Sequence, residues 1–395
     1  MNRTTDKKQT IVYFTIFVIL FALVILPVIA VFSEAVIVDG RFDFSNALRT
    51  VIDKENLTTI TNSLLLGVLV VIVSTIISTP LALLLARTRY ARWKWLDVVL
   101  MIPFMTPPYI SSMGWILFMQ KRGLFQQLFP WTGSISESFF SLGGLVLVMS
   151  FHVSPFMTTM LKNAILNIGM NLEESAAVSG AGFLYRLRRV MLPLLTGNYA
   201  IAMLLVFVKT LSEYGTPSTL GNRIGFYVFT TDIHRYASTA PIDFGKASSL
   251  SSVLIIICMV MWLAQSYTTS KHTYNLVGGK GKKESLYSCR RAAEVIGGVY
   301  IFLVVAVTIG VPYFSVIATS LIKLRGYGLA AGNFTFQHYV ELFTKNSKGW
   351  EALATSTFLA VVSATIASIM GTLIVVLIKK AGNWIKKTSL KSFDE

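Results

Sequence analysis

The sequence predicts an all-α polytopic membrane protein with about eight transmembrane helices. Of its 395 residues, 54% are hydrophobic and only 14% are charged. A soluble domain of that composition would have too little polar surface to cover it. Apolar runs of about 20 residues, the length of helix that spans the ~30 Å hydrocarbon core of a bilayer, recur along the chain. Both observations exclude an ordinary soluble enzyme.

The first predicted span is a retained anchor helix. Arg3, Lys7 and Lys8 precede an apolar run of about 22 residues, which is too long for the core of a cleaved signal peptide. Seven further runs of similar length follow it. Together the predicted spans cover roughly residues 11–32, 62–86, 96–118, 142–163, 197–217, 247–267, 294–318 and 355–378.

The distribution of basic residues predicts the orientation of the chain. Lys and Arg number 35 against 19 Asp and Glu, which gives a formal net charge of +16. If the N-terminus is cytoplasmic, most of these basic residues fall in inside segments, among them residues 87–94, 271–291 and 379–391. This asymmetry follows the positive-inside rule and predicts a multi-pass protein of the cytoplasmic (inner) membrane. The lipid bilayer explains the net charge, so we expect no nucleic-acid partner.

An internal repeat divides the chain. Placing the segment Asn62–Arg87 over the segment Thr355–Lys380 aligns several residues, for example Ser63 with Ser356. An even number of predicted spans separates the two copies, so both enter the membrane in the same direction, as parallel repeats do. The predicted organisation is a first repeat at residues 1–270, a basic cytoplasmic linker at 271–293 and a partial second repeat at 294–395.

A polar loop at residues 164–196, between the fourth and fifth spans, is predicted to form a helix–turn–helix outside the bilayer. Asn171 can cap its first helix, Glu174 can close a capping box and Glu173 complements the positive end of the helix dipole. The small side chains that follow leave a smooth face on which another protein can rest. Gly180 can end this helix in a left-handed conformation.

The second helix of this loop is predicted to be short and basic. It contains Arg186, Arg188 and Arg189. Pro193 lacks the backbone N–H of a regular helix and is predicted to break the helix before the fifth span.

The loop resembles the EAA loop of binding-protein-dependent ABC transporter permeases. That motif reads Glu-Ala-Ala, three residues, Gly, nine residues, Ile-x-Leu-Pro, and here Glu174-Ser175-Ala176 precedes Gly180 and Val190-Met-Leu192-Pro193 at the same spacing. The resemblance implies a type I ABC importer permease bundle in which this loop docks into a separate ATPase subunit. The implied ATPase-coupling residues are Glu173, Glu174, Ser175, Ala176, Gly180, Val190, Leu192 and Pro193.

The resemblance places ATP hydrolysis on partner subunits. The best Gly-Lys stretch, Gly278-Gly-Lys-Gly-Lys-Lys283, lacks the first Gly and the following Ser or Thr of a phosphate-binding loop. The four histidines show no metal-ligand spacing, and no nucleophile and base are arranged for catalysis. We therefore predict that the chain is not an enzyme and holds no cofactor or metal, with ATP and Mg on the partner ATPase. An extracytoplasmic solute-binding protein is the second implied partner.

Three stretches resemble the ferric-iron branch of these permeases: Pro103-Phe-Met-Thr-Pro-Pro-Tyr109, Glu213-Tyr-Gly-Thr-Pro217 and Tyr274-Asn-Leu-Val-Gly-Gly-Lys-Gly281. The implied function is import of ferric iron by alternating access. Relatives in the branch handle thiamine, polyamines or phosphonates, and each stays open as the solute. A secondary carrier or channel that needs no ATPase, and an assembly subunit without transport of its own, are the alternatives from other classes.

Two groups of residues are candidates for the translocation path. Pro103, Pro107 and Pro108 are predicted to break the third span, which either lines the path or is an architectural kink. Lys209 and Glu213 are four residues apart on the fifth span and can pair along one helix face. Intramembrane charges point to the path, yet a structural ion pair is equally open. Tyr214 follows Glu213 and is included with the path.

The second repeat is predicted to supply only two spans and no second EAA loop. An ATPase pair presents two docking clefts. We therefore expect either a second polypeptide that completes the second half, or a truncated or interrupted chain.

Overall fold

The computed structural model of the protein describes residues 14, 17–19, 21–38, 41–168, 170–271, 291–344 and 347–391. These residues are mostly helical, and the strands within them form one short antiparallel pair, β1 (Ile37–Val38) with β2 (Arg41–Phe42). By its contacts the chain divides into two compact units, Met1–Val31 with Thr335–Glu395, and Phe32–Phe334.

The helices confirm the predicted fold class. Within the described ranges, seven helical segments are long and apolar enough to cross a membrane, and a bent helix pair brings the number to eight. Each overlaps a predicted span, although the helical segment of the fifth span runs from Phe183 to Leu211 and so begins before and ends before the predicted 197–217. The α-helices are α1 (Leu26–Val36), α2 (Phe44–Ile52), α3 (Lys54–Arg87), α4 (Lys94–Met105), α5 (Pro108–Met119), α6 (Leu124–Leu128), α7 (Gly133–Phe139), α8 (Leu142–Asn167), α9 (Met170–Val178), α10 (Phe183–Arg186), α11 (Leu192–Leu211), α12 (Phe229–Ser238), α13 (Phe244–Lys271), α14 (Arg291–Val305), α15 (Val311–Leu321), α16 (Gln337–Thr344) and α17 (Ser347–Lys391).

The core of the larger unit lies where α3, α8 and α11 pack together. Small polar residues let α3 and α8 approach closely, and the Ser78 hydroxyl donates a 2.9 Å hydrogen bond to the Ser154 carbonyl across this contact. Gly67 of α3 faces Phe207 of α11 so tightly that a Cβ there would lie 2.6 Å from the ring. The second, fourth and fifth spans therefore form one packed bundle.

The third span is broken, as its prolines predict. Helix α4 ends at Met105 and α5 begins at Pro108, and the two are bent by 88°. The break falls at Thr106 and Pro107, where Pro107 cannot donate a backbone hydrogen bond and Pro108 occupies the first turn of the next helix. Pro103 lies inside α4, so it does not mark the break.

Pro193 does not break the helix that contains it, which corrects the prediction. The helical segment is continuous from Phe183 to Leu211. A π-helical turn at Leu187–Met191 precedes Pro193, and the Leu192 N–H bonds to the Leu187 carbonyl. The wider turn accommodates a residue without an N–H, so the chain enters the fifth span without a break.

The seventh span packs on the broken third span. Gly114 of α5 lies against Pro312 of α15, and a Cβ at Gly114 would be 2.5 Å from the Pro312 carbonyl oxygen. Thr106, at the break, shares a hydrogen bond with the hydroxyl of Tyr313. The first span of the predicted second repeat is thus part of the larger unit.

In the smaller unit, α16 packs against the beginning of α17. The rings of Phe343 and Trp350 meet edge to face at 6.2 Å, and Gly349 lies against Leu342.

Candidate functional site: the loop between the fourth and fifth spans

The predicted helix–turn–helix is present in the 164–196 loop. Helix α9 is followed by a tight turn and α10. Gly180 has a left-handed φ of 85°, and the turn is closed by bonds from the Gly180 N–H to the Ala177 carbonyl (2.9 Å) and from the Ala181 N–H to the Ala176 carbonyl (3.0 Å). A Cβ at Gly180 would meet nothing within 4 Å. Glycine is therefore favoured here by its backbone conformation and not by crowding.

One side of the loop presents apolar side chains to solvent. Val178 is 90% exposed and Leu184 is 73% exposed, and Tyr185 is exposed beside them. Ser175 is also exposed and Ala176 is half-buried. The side chains of Asn171 and Glu174, on which the predicted capping box depends, lie outside the described residues. A surface of small and apolar side chains at the end of a bundle suits contact with another protein.

The opposite side of α9 is held by a buried ion pair. The Arg87 Nη2 atom, at the end of α3, lies 3.2 Å from Glu173 Oε1, and the side chains are 5% and 1% exposed. The same nitrogen donates to the carbonyls of Ile165 (3.0 Å) and Ile168 (2.8 Å) at the end of α8. Glu173 is thus a buried anchor and not part of the exposed surface.

The remaining loop residues lie where the loop joins the bundle. Val190 and Leu192 are half-buried and Pro193 is exposed. They follow the π-helical turn and connect the loop to the fifth span.

The structure separates the two charges proposed for the path. No Lys209–Glu213 ion pair occurs among the ion pairs of the described residues, which corrects the predicted pairing. Helix α11 ends at Leu211, so the helical spacing of the two residues is lost. The buried Glu213 carboxylate instead accepts the Thr216 N–H at 2.8 Å, and the exposed Lys209 ammonium lies 5.8 Å from the centroid of Phe104.

The broken third span and the end of the fifth span meet near these residues. A Cβ at Gly215 would lie 2.9 Å from the Tyr109 nitrogen and 3.3 Å from Pro108. Tyr214 is 41% exposed beside this contact. The structure therefore brings Pro108 close to Gly215, the neighbour of Tyr214 in sequence, whereas Pro103 is buried in α4 and Pro107 is exposed at the break.

An open cleft of ≈ 540 Å³ lies at the other end of the bundle, between the start of α3 and the segment that leads into α12. Asp232 in this cleft accepts a hydrogen bond from the Thr59 hydroxyl and pairs with Arg235 at 3.3 Å. Arg235 also contacts Glu55 at 2.6 Å. Burial raises the pKa of the Asp232 carboxyl above its ordinary value, although Thr59 and Arg235 act in the opposite direction.

Comparison with known proteins shows what this arrangement is similar to. Residues 78–269 match the family model for the binding-protein-dependent transport system inner membrane component. A bacterial ABC transporter that imports the polysaccharide alginate includes a chain with the same fold, with a TM-score of 0.54 and 17% sequence identity over 68% of this chain and 98% of that one. The chain therefore shares the fold of that importer chain, and its residues 78–269 resemble the inner membrane component of binding-protein-dependent transport systems.

The region that matches this family model contains the whole 164–196 loop. The chain is 22% identical to the ferric transport permease FbpB of Actinobacillus pleuropneumoniae over 384 residues, or 95% of this chain and 54% of the relative. An FbpB relative in Haemophilus influenzae is 23% identical over 92% of this chain and 57% of the relative. The chain thus spans a little over half the length of these relatives. The molybdenum permease ModB of Azotobacter vinelandii is 25% identical over 54% of this chain.

Sequence reasoning missed the Arg87–Glu173 pair. In the sequence, Arg87 is one of several basic loop residues that predict the orientation of the chain in the membrane. The two residues are 86 positions apart, and no local spacing relates them.

Proposed function

We propose that the chain is the transmembrane subunit of an ATP-driven, binding-protein-dependent importer for ferric iron, and that the 164–196 loop couples it to a separate ATPase. The observation that carries this proposal is the exposed side of α9 and α10. It combines the EAA spacing with a left-handed Gly180 and a solvent-facing Val178, inside the region that matches the permease family. In this proposal the loop end of the bundle is cytoplasmic, as is the N-terminus.

The apolar surface gives the coupling proposal a physical basis. Apolar side chains gain free energy when another protein removes them from water. The small residues Ser175 and Ala177 allow that partner to approach the helix backbone. Movement of the docked ATPase is then transmitted through the loop to the fourth and fifth spans, and the bundle alternates between outward-open and inward-open states.

Two comparisons support ferric iron over the other solutes. The FbpB relatives match 92% and 95% of this chain. The molybdenum permease ModB of Azotobacter vinelandii and the sulfate permease CysT of Salmonella typhimurium match 54% and 50% of it. Molybdate and sulfate are therefore alternative solutes to iron, in addition to thiamine, polyamines and phosphonates.

The other end of the bundle is proposed to receive the solute-binding protein. A second solved structure of the alginate importer contains a periplasmic protein bound to an alginate pentasaccharide, and its fold match has a TM-score of 0.55. In this chain the cleft around Asp232 and the half-exposed Tyr227 lies at that end.

Uptake of labelled solutes tests the proposal. A strain that lacks the chain is compared with the same strain after the chain is restored, with ferric iron, molybdate and sulfate as separate solutes. Loss of iron uptake alone, with recovery on restoration, is the expected result. Uptake driven by an ion gradient in vesicles without ATP would favour a secondary carrier, and unchanged uptake of iron with loss of molybdate or sulfate would overturn the iron assignment.

A further inference from the structure

We infer that Arg87 is a positioning residue that fastens the coupling helix α9 to the second and fourth spans, so that movement of the docked helix is passed to those spans. This inference rests on the proposed coupling function. It concerns a residue outside the 164–196 loop, and it assigns Glu173 to the interior of the protein and not to the ATPase.

One guanidinium joins three segments of the chain. Arg87 is the last residue of α3, and its Nη2 atom contacts Ile165 and Ile168 at the end of α8 and Glu173 in the first turn of α9. The last carbonyls of a helix have no intrahelical donor and carry partial negative charge. The Arg87 guanidinium placed there donates hydrogen bonds to these carbonyls. The Glu173 carboxylate pairs with the same guanidinium.

Burial makes this attachment strong. Both side chains are almost fully removed from water, so removal of one partner takes the opposite charge of the ion pair away from the other, which stays buried. A second arginine two residues away provides the contrast. Arg89 pairs with Glu294 of α14 at 3.1 Å, but its side chain is 49% exposed, and exposed ion pairs contribute little to stability.

The attachment and the proposed docking surface lie on different sides of the same helix. Glu173 is buried in the protein, whereas Val178, five residues further on, faces solvent. A partner that binds the exposed side therefore acts on a helix whose buried side is fixed to the ends of α3 and α8. Without the Arg87 contact, α9 could shift with the partner while the spans stayed in place.

The test uses the full chain in nanodiscs, assembled with the ATPase and an iron-loaded binding protein. The variants are Arg87→Met and Glu173→Gln, and the matched control is Arg89→Met, which removes the same charge from the exposed pair. Two quantities are measured in assembled complexes: amide hydrogen exchange of residues 170–178, and the ratio of binding-protein-stimulated to basal ATP hydrolysis.

Both variants are expected to speed exchange in residues 170–178 by about tenfold, with α3 and α8 unchanged. The stimulation ratio is expected to fall by about fivefold or more, because docking no longer moves the spans, while R89M stays within about twofold of the unaltered chain. A purely structural role would lower the amount of assembled complex and leave this ratio unchanged.

The inference is overturned if E173Q and R87M keep both the exchange rates and the stimulation ratio of the unaltered chain. If R87M fails to assemble, E173Q decides, since it has nearly the same shape and removes only the charge. Failure of the unaltered chain to bind the ATPase, or to show any stimulation, would count against the proposed function. The exchange measurement on the chain alone still tests the attachment in that case.

Discussion

Arg87 and Glu173 form a buried ion pair at 3.2 Å between the end of the second span and the first turn of the loop helix. The pair connects Arg87, the last residue of a membrane-spanning helix, with Glu173, in the first turn of the proposed coupling helix. Several of the measurable properties of this protein follow from such contacts between distant segments.

Removal of one partner of this pair is expected to lower the free energy of unfolding more than removal of both partners. Arg87→Met alone should cost about 3–5 kcal/mol of unfolding free energy, because Glu173 stays buried and loses the opposite charge of Arg87. The double variant R87M/E173M should recover much of that loss. Thermal unfolding in detergent checks the order, and a double variant less stable than R87M would contradict it.

Gly180→Ala is expected to weaken ATPase association through the backbone alone. An alanine held at a φ of 85° costs about 1–2 kcal/mol, so the turn between α9 and α10 should open and the exposed surface should lose its shape. Gly182→Ala is the matched control, because Gly182 has a φ of −65° and also has open space around its Cβ position.

The readout for this pair of variants is the dissociation constant of the chain and the ATPase. Weakening of about tenfold in G180A, with G182A close to the unaltered chain, is the expected result. Equal affinities in all three proteins would show that the left-handed turn does not shape the docking surface.

Gly114→Ala is expected to push the broken third span away from the seventh. The added Cβ would lie 2.5 Å from the Pro312 carbonyl oxygen and 2.7 Å from its Cα, so the backbone itself must move. The cost should be about 1–3 kcal/mol, seen as a lower unfolding temperature. Gly197→Ala, where a Cβ meets nothing within 4 Å, should be neutral or slightly stabilising. Similar losses in both variants would argue against a specific contact between α5 and α15.

The raised pKa of Asp232, at the opposite end of the bundle, predicts that the stability of the folded chain depends on pH. Burial raises this pKa, so the folded state binds the proton more tightly than the unfolded state and is favoured as pH falls through that range. The stability of the unaltered chain relative to Asp232→Asn should therefore decrease as pH rises from about 4 and level off above the raised pKa. Unfolding temperatures of both proteins across this range give the result, and a relative stability that increases with pH would contradict it.

Local signals in the sequence were sufficient for much of this structure. The prolines at positions 103, 107 and 108 predicted a break in the third span, which falls at 107 and 108 and not at 103, and the glycine at 180 predicted the end of the loop helix. Apolar run length placed every span. These features depend on residues within a few positions of one another, where backbone geometry and side-chain type decide the outcome.

Two local expectations were wrong, and one contact between distant segments was missed. The spacing of Lys209 and Glu213 allows an ion pair on a regular helix, but the helix ends between them and Glu213 bonds to Thr216 instead. Pro193 was expected to break its helix, but a π-helical turn accommodates it. The partner of Arg87 could not be inferred, since only the packing of three spans brings it to Glu173.

Site-directed cross-linking tests whether the 164–196 loop is the part of the chain that docks on the ATPase. Cys258 and Cys289 are first replaced by serine, and a single cysteine is then placed at Val178, on the exposed side of α9. A matched cysteine replaces Trp131, which is 78% exposed at the other end of the bundle. We expect that V178C cross-links to the ATPase in membranes and that W131C does not. Cross-linking of W131C to the ATPase, or none from V178C while the two proteins still co-purify, would contradict the assignment of this loop as the coupling site.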